Sequence, residues 1–451
     1  MEFNLPKILY AGKEVEAIVE GGKGINVSTG LTAGRFANAG AIGTFSGVNP
    51  DSVDEGGNSI KRIFKGRTRQ EKQKEMIEYS IKGALTQAKI AHEESNGNGR
   101  ILMNVLWEMG ACPEILEGVL SKANGIIHGV TCGAGMPYKL SEIASKYKTF
   151  YNPIVSSVRA FKILWKRAYE KNKEWLGAVV YEDPWVAGGH NGLTNAEDPK
   201  KPQRAYERLV ELREFMNQVG LNETPIIIAG GVWCLSEWAF AINNPEIGAV
   251  AFQFGTRPLV TKESPISDEH KKVLLNAKEG DVSLQRFSPT GFYSSAIRND
   301  FLKMLENRSA RQIKFAMEKT DELLEEITLN NQSVFVSKES IAKINNFIKD
   351  GFETAMKTPD STMIFVGDEE AKKIRTGLKD CIGCLSVCQF SGWSQYEGVN
   401  VKADPRSFCI QKTLWDVSHG ENPNKNLVFA GKDVFYFGKD PLYKDGNVPT
   451  I

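Results

Sequence analysis

Long apolar runs are missing from this chain: nowhere in its 451 residues do about 18 apolar residues follow one another, so no membrane-spanning helix is expected. The start, Met1-Glu2-Phe3-Asn4-Leu5-Pro6-Lys7, lacks the basic-then-apolar pattern of a secretory signal. Charge of one sign is lacking too. A net charge of +1 gives no overall reason to expect nucleic acid or an anionic membrane as partner. Cysteine is scarce: seven in a chain this long are too few for a disulfide scaffold. Three of them lie close together, which suits a reducing compartment, and the expected location is the cytoplasm. Internal repeats and low-complexity stretches are absent.

What is present is the composition of a soluble globular protein, 41% hydrophobic and 25% charged, with length for one large domain and an appendage or for two to three ordinary domains. Eight short runs rich in Val, Ile and Ala read as strands: Ala17–Glu20, Ala39–Phe45, Ile101–Val105, Gly125–Val130, Phe150–Ser156, Gly177–Glu182, Pro225–Ala229 and Gly248–Phe254. Most are apolar throughout rather than alternating, as in strands covered on both faces of a parallel sheet. Amphipathic segments separate them, among them Glu71–His92, Cys112–Lys122, Ser157–Lys171 and Gln203–Gln218. Eight such alternations predict an α/β fold, a (β/α)8 TIM barrel, with an open doubly wound sheet as the alternative. The rhythm stops after Lys262. Residues 1–262 are expected to form the barrel, and residues 263–451 a mostly helical or irregular capping region that carries the cysteine cluster. Asn307–Ile327 and Lys338–Met356 read there as charged amphipathic helices.

Five basic residues fall within the nine positions Lys61–Arg69. In a nearly neutral chain this reads as a solvated loop on the active-site face rather than a nucleic-acid patch.

Glycines crowd the ends of the predicted strands. Ala187-Gly188-Gly189-His190-Asn191-Gly192 follows the sixth, Gly230-Gly231 the seventh, and Gly255-Thr256 the eighth after Gln253. In barrels of this kind the loops after strands seven and eight often bind a phosphate through backbone N–H groups. A phosphorylated cofactor is therefore expected. His190 suits proton transfer, its imidazole having an unperturbed pKa near neutrality. The alternative is a glycine-rich turn with a solvated histidine. Glu20-Gly21-Gly22-Lys23 ends strand one and would let a planar ring approach the main chain. Asn104 closes strand three, where an amide serves either a heterocycle edge or the core. His128 is a candidate pocket residue; His92, His270 and His419 read as surface or loop residues.

Assembled, these segments resemble the nitronate monooxygenase (2-nitropropane dioxygenase) family and its flavin-dependent enoyl-ACP reductase relatives. Asn38-Ala39-Gly40-Ala41-Ile42-Gly43, Val155-Ser156-Ser157-Val158 and Gln253-Phe254-Gly255-Thr256-Arg257 add to the match. In the C-terminal half, Ser288-Pro289-Thr290-Gly291 and Leu427-Val428-Phe429-Ala430-Gly431 resemble the longer bacterial members. The resemblance implies FMN as cofactor. Gly22, Asn104 and Glu182 would then face its ring or ribityl chain; Gly188, Gly189, Gly230, Gly231, Gln253, Gly255 and Thr256 would line the ribityl chain and phosphate. It implies His190 as the catalytic residue and oxidation of alkyl nitronates by O2, with NAD(P)H-dependent reduction of enoyl thioesters as the alternative. A flavin or iron–sulfur accessory subunit without turnover is a second alternative. The implied partner is a small-molecule substrate, with no nucleic acid or membrane; a homo-oligomer stays open. Two positions depart from the family pattern: Glu182 stands where a glutamine is usual, and strand one ends in Glu20 and Lys23 around its glycines.

Cys381, Cys384, Cys388 and Cys409 are spaced C-x2-C-x3-C-x20-C. Four such thiolates suit a [4Fe-4S] cluster or a structural zinc, and ordinary reduced thiols are the third reading. Cys112, Cys132 and Cys234 read as buried small residues.

Overall fold

The computed structural model describes residues 5–420 and 422–451. Its centre is a closed barrel of eight parallel strands, numbered here β1 (Ile18–Glu20), β2 (Ile42–Ser46), β3 (Arg100–Leu106), β4 (Gly129–Gly133), β5 (Phe150–Val155), β6 (Val179–Glu182), β7 (Ile226–Ala229) and β8 (Val250–Phe254). The barrel closes where β8 pairs with β1, Phe252 opposite Ile18. Helices α1 (Gly30–Asn38), α2 (Arg69–Glu94), α3 (Cys112–Leu120), α4 (Leu140–Lys146), α5 (Val158–Arg167) and α6 (Ala205–Gln218) follow the first six strands in turn. The predicted strands are thus all present in the predicted order. The fourth starts four residues later than expected, because Asn124 and Gly125 adopt positive φ in a turn and the chain pairs only from Gly129 on.

Two apolar layers explain why the sheet curls. Val19, Ile42, Leu102, Val180, Ile227 and Ala251 fill the barrel interior, while Phe45, Met103, Val130, Tyr181 and Phe252 pack outward against the helices. Both faces of each strand are dry, as near-continuous apolar runs require. A hairpin of Ile8–Tyr10 and Lys13–Val15 plugs the N-terminal end, where the buried Tyr10 exchanges hydrogen bonds with Asn152. That plug leaves the C-terminal mouth for a site.

The region beyond residue 262 contains helices Asp268–Leu275, Asp300–Ala310, Lys338–Lys349, Asp368–Lys379 and Ile410–Ser418 together with small antiparallel sheets. The segment read as a helix over Asn307–Ile327 is helical only to Ala310. Arg311 leaves helical geometry, Gln312–Lys314 joins a sheet with Thr362–Val366, and Glu325–Leu329 forms a hairpin with Gln332–Val336. Likewise the helix beginning at Lys338 ends at Lys349, and Thr354–Lys357 is a strand. Cys234, expected buried, is exposed. His270, expected at the surface, is fully buried in helix Asp268–Leu275. Among the described residues no helix is long and apolar enough to cross a membrane.

Within the basic loop Lys61, Lys65 and Arg67 are exposed, as expected of a solvated loop, while Arg62 and Arg69 turn inward. Arg62 pairs with buried Asp51 at 3.3 Å and lies over the Trp415 ring, while Arg69 donates to the Ser391 and Leu378 carbonyls. These contacts bind the loop after β2 to the C-terminal region.

Candidate active site

Because the strands are parallel, every one delivers its C-terminal end to the same mouth. Ala229 of β7 lies in register between Glu182 of β6 and Gln253 of β8. Gly21 donates its N–H to the Phe254 carbonyl, joining the glycine turn after β1 to the end of β8. Gly22 lies directly on Asn104: a Cβ built there would stand 2.2 Å from the asparagine Cβ. The residues expected around a cofactor are therefore brought together at one rim. His128 is not. It precedes β4 at the opposite end of the barrel, where its Nδ1 accepts the Ile101 N–H at 3.0 Å and burial pushes its pKa down to about 4.

His190 is held by the C-terminal region rather than by the barrel alone. Gly189–His190 forms a short strand paired antiparallel with Ser294–Ile297, His190 opposite Ser294, and that strand pairs in turn with Val282–Gln285. The imidazole Nε2 lies 2.6 Å from the Ser288 Oγ, which is itself 2.9 Å from the Thr290 Oγ1. Phe429 meets the ring edge-on with centroids 5.2 Å apart. These surroundings push the His190 pKa down to about 4 through burial, so the ring is neutral at physiological pH. Nε2 is committed to Ser288; Nδ1 has no protein partner among the described residues. Ser288, Thr290 and Phe429 were visible in the sequence only as part of a family-like pattern, and the pairing with His190 spans almost a hundred residues.

The departures at Glu20 and Glu182 lose most of their electrostatic weight. Glu20 is fully buried, bonded by Lys23 at 3.3 Å, by the Thr32 hydroxyl at 3.0 Å and by the Thr44 N–H. Burial pushes the Glu20 carboxyl up and the Lys23 amine down, each opposed by the other's charge. Whether the proton sits on the carboxyl or the amine, the pair carries no net charge. The Glu182 carboxyl makes no protein hydrogen bond among the described residues, and burial, reinforced by the neighbouring Asp183 charge, pushes its pKa up to about 8. At neutral pH it therefore holds its proton and can donate a hydrogen bond, as an amide would.

At the far side of the mouth, Gly230 and Gly231 adopt φ of +82° and +70°, which suits residues without a Cβ. The backbone N–H groups of Gly230, Gly231, Gly255 and Thr256 donate to no protein acceptor among the described residues. A Cβ built on Gly255 meets nothing within 4 Å. Free N–H donors at the ends of two neighbouring strands are groups that an anion such as a phosphate can accept. The C-terminal segment frames it: Gly431 donates to the Thr256 Oγ1 at 2.9 Å and Lys432 to the Val186 carbonyl at 3.0 Å. The Lys432 charge acts on Asp183 and Asp433, the latter raised to about 6 by burial and by Glu237 and Asp183. Lys432 is the cation at this end that the sequence reading missed; no spacing linked it to a barrel two hundred residues earlier.

A family model described as nitronate monooxygenase matches residues 13–382 of the chain. No curated protein sequence matches it. Among solved structures, the enoyl reductase domain of MlnA from the macrolactin biosynthesis cluster of Bacillus amyloliquefaciens is 13% identical, with 96% of this chain and 90% of that one covered and a TM-score of 0.50. FabK from Thermotoga maritima is 18% identical over 65% of this chain and 74% of its own, with a TM-score of 0.44. The nitroalkane oxidase from Streptomyces ansochromogenes is 18% identical over 64% and 78%, with a TM-score of 0.45.

Proposed function

We propose, on the premise that the chain belongs to the nitronate monooxygenase family, that it is an FMN-dependent oxidoreductase acting on a small carbonyl-activated substrate, best an enoyl thioester. The observation that carries this reading is the neutral, anchored imidazole of His190, with Nε2 tied to Ser288 and Nδ1 without a protein partner among the described residues. Gly230, Gly231, Gly255 and Thr256 would hold the phosphate through their N–H groups. Gly22, Asn104, Glu182 and Gln253 would border the ring and ribityl chain, with Gly188 and Gly189 behind them. FMN, when bound, supplies two-electron hydride exchange.

The chain's own part is position and charge. Reduction of an enoyl thioester adds hydride at the β carbon and a proton at the α carbon, and negative charge builds on the thioester oxygen between the two. With the Ser288 hydroxyl donating to Nε2, the proton of His190 sits on Nδ1 and stabilises that oxygen by a hydrogen bond. A neutral site also suits a neutral substrate: Glu182 holds its proton, and Lys23 is cancelled by Glu20. The whole-length likeness of fold to an enoyl reductase domain supports this choice, since it includes the region that supplies Ser288. Nitronate oxidation by O2 is the second reading, favoured by the family match itself. In the other tautomer the same Nδ1 is a free base that removes the α-proton of a neutral nitroalkane. We place the functional division at residue 262, with the barrel carrying the cofactor and residues 263–451 closing the site.

Anaerobic and aerobic turnover separate the readings. Oxidation of reduced nicotinamide that depends on a short-chain enoyl thioester is the expected result. O2 consumption with a propane nitronate and no turnover of any enoyl thioester would overturn the first reading in favour of the second.

Glu182 gives this function a pH signature. Its raised pKa means the protonated donor is present below about 8 and lost above it, so kcat/KM should fall about tenfold per pH unit on the alkaline side. Glu182→Gln keeps the donor at all pH values; that variant should stay active and lose the alkaline limb. An unchanged limb in the variant would assign it to another group.

A further inference from the structure

Helix Ile410–Ser418 of the C-terminal region lies across two loops of the barrel mouth. It is preceded by Cys409. That residue, Cys381, Cys384 and Cys388 are free thiols, and among the described residues no group of three or more ligating side chains is placed to hold a metal. Near the start of the helix, Asn49 in the loop after β2 donates its amide to the Gln411 Oε1 at 2.7 Å. At its end, the Ser418 hydroxyl reaches the Ile25 carbonyl in the loop after β1 at 3.1 Å. Val417 shares a buried apolar cluster with Val27 of that same loop.

Asp51, in the loop after β2, gathers these elements. Its buried carboxylate accepts from the Asn26 amide at 3.2 Å, from Arg62 at 3.3 Å and from the His419 Nε2 at 2.9 Å. Its N–H donates in return to the Asn26 Oδ1 at 3.1 Å. Asn26 belongs to the loop that opens with Gly21 and Gly22. The Trp415 ring lies against both basic partners: Arg62 is 4.2 Å from its centroid, and the His419 ring stacks on it at 3.8 Å and 11°.

Both nitrogens of His419 face acceptors. Nε2 faces the Asp51 carboxylate, and Nδ1 faces the Trp415 carbonyl at 2.7 Å. A neutral imidazole carries one N–H and can serve one of them; only the imidazolium serves both. The Ser418 hydroxyl beside Nδ1 already has two carbonyls, of Ile25 and Trp415, for its single proton. Trp415 lies in the last turn of its helix, where a cation is favoured. Burial works against the charge, but the bonds to Asp51 and Trp415 outweigh it and hold the His419 pKa above the ordinary 6.5. The side chain is 24% exposed, so solvent can exchange its proton. The charged groups that face it are Asp51 and Arg62, while the loop after β1 and α2 bring the uncharged Asn26 and Gln87 to Asp51.

We propose that His419 and Asp51 form a proton-dependent latch, closed in the charged form of His419, which holds the C-terminal helix across the glycine turn after β1. Deprotonation leaves two acceptors for one donor. The ring then gives up either Asp51 or its own helix end, and each loss unties the helix from the barrel loops. Asp51 keeps Arg62 and Asn26, so the latch opens on the helix side, at the Ser418 contact with Ile25 and the Val417 packing on Val27. A histidine whose pKa is raised by folding stabilises the closed form fully below its unfolded value, and that contribution is lost as pH rises through the folded one. The consequence for a cofactor rests on the FMN reading, in which Gly22 borders the ring; the latch does not.

Amide hydrogen exchange of residues 21–28 in the full chain tests this, with variants compared at equal pH so that the intrinsic rate cancels. At about pH 6, His419→Gln should exchange this segment about tenfold faster than the wild type, the size of one charge-assisted hydrogen bond. At about pH 9 the wild type should exchange as fast as that variant. His419→Arg keeps a charged donor for Asp51 throughout and should stay protected at both. Equal exchange in the wild type and His419→Gln at the lower pH would overturn the proposal. So would the same loss of protection with pH in His419→Arg, or a His419 ring proton titrating at or below the ordinary 6.5. His419 sits at a partly exposed helix end, so these variants should fold. For the cofactor, the FMN dissociation constant should rise severalfold over the same pH range in the wild type and not in His419→Arg. A chain that binds no FMN would sink the flavin reading and leave the exchange result to decide the latch.

Discussion

Replacing His190 by alanine is expected to lower kcat/KM by about 10²- to 10⁴-fold on whichever substrate proves native, the range for removal of a positioned proton-handling group. The imidazole lies at the rim of the mouth, held by one hydrogen bond from Ser288 and an edge-on contact with Phe429. Losing that contact costs about 1 kcal/mol of stability, too little to unfold a domain of this size. The activity loss should therefore appear with bound FMN and the folded baseline intact, which flavin absorbance and circular dichroism would report. Ser288→Ala makes a sharper control. It leaves the ring in place but frees Nε2, so it should cost less activity than His190→Ala and shift the acid side of the pH profile. Unchanged turnover of enoyl thioesters and nitroalkanes alike in His190→Ala would remove this residue from the chemistry.

That experiment probes a residue whose place the sequence revealed and whose setting it did not. His190 could be located because the barrel is a local code: an apolar run buried on both faces recurs eight times, with glycines after most of the runs and an α-helix after each of the first six. Parallel strands convert that linear order into a shared mouth, so Gly22, Asn104, Glu182, Gly230, Gln253 and Thr256 fall together without any long-range pairing being known. The C-terminal region has no such code. Gln312–Lys314 becomes a strand only because Thr362–Val366 lies beside it, and the charged alternation before Ile327 looks helical until that partner is present. Ser288, Phe429 and Lys432 reach the site through antiparallel pairings and loop contacts that span from almost a hundred to well over a hundred residues. Protonation was equally hidden. Glu182 and Lys23 read as foreign charges by the cofactor, and only burial and the Glu20 contact show that they bring little net charge.

Two glycine substitutions at the same rim should separate what the glycines do for the fold from what they do for the cofactor. A Cβ on Gly188 would stand 2.5 Å from the Ala430 carbonyl carbon and 2.5 Å from the Gly431 nitrogen, both main-chain atoms that no rotamer change can move. Gly188→Ala must push the Ala430–Gly431 segment off the barrel, which strains the Gly431 bond to Thr256 and the Lys432 bond to Val186. The expected cost is about 3 kcal/mol in urea unfolding, the upper part of the range for forcing atoms into packed space. On Gly255 the same methyl meets nothing within 4 Å, and the residue needs no positive φ. Gly255→Ala should leave stability within about 0.5 kcal/mol of the wild type. It should nevertheless weaken FMN binding at least tenfold by filling the space beside the free N–H groups of Gly255 and Thr256, read by fluorescence titration of the apoprotein. Equal FMN affinity in Gly255→Ala and wild type would place the phosphate elsewhere, and an unperturbed unfolding midpoint in Gly188→Ala would show that residues 430–433 do not pack on the barrel in solution.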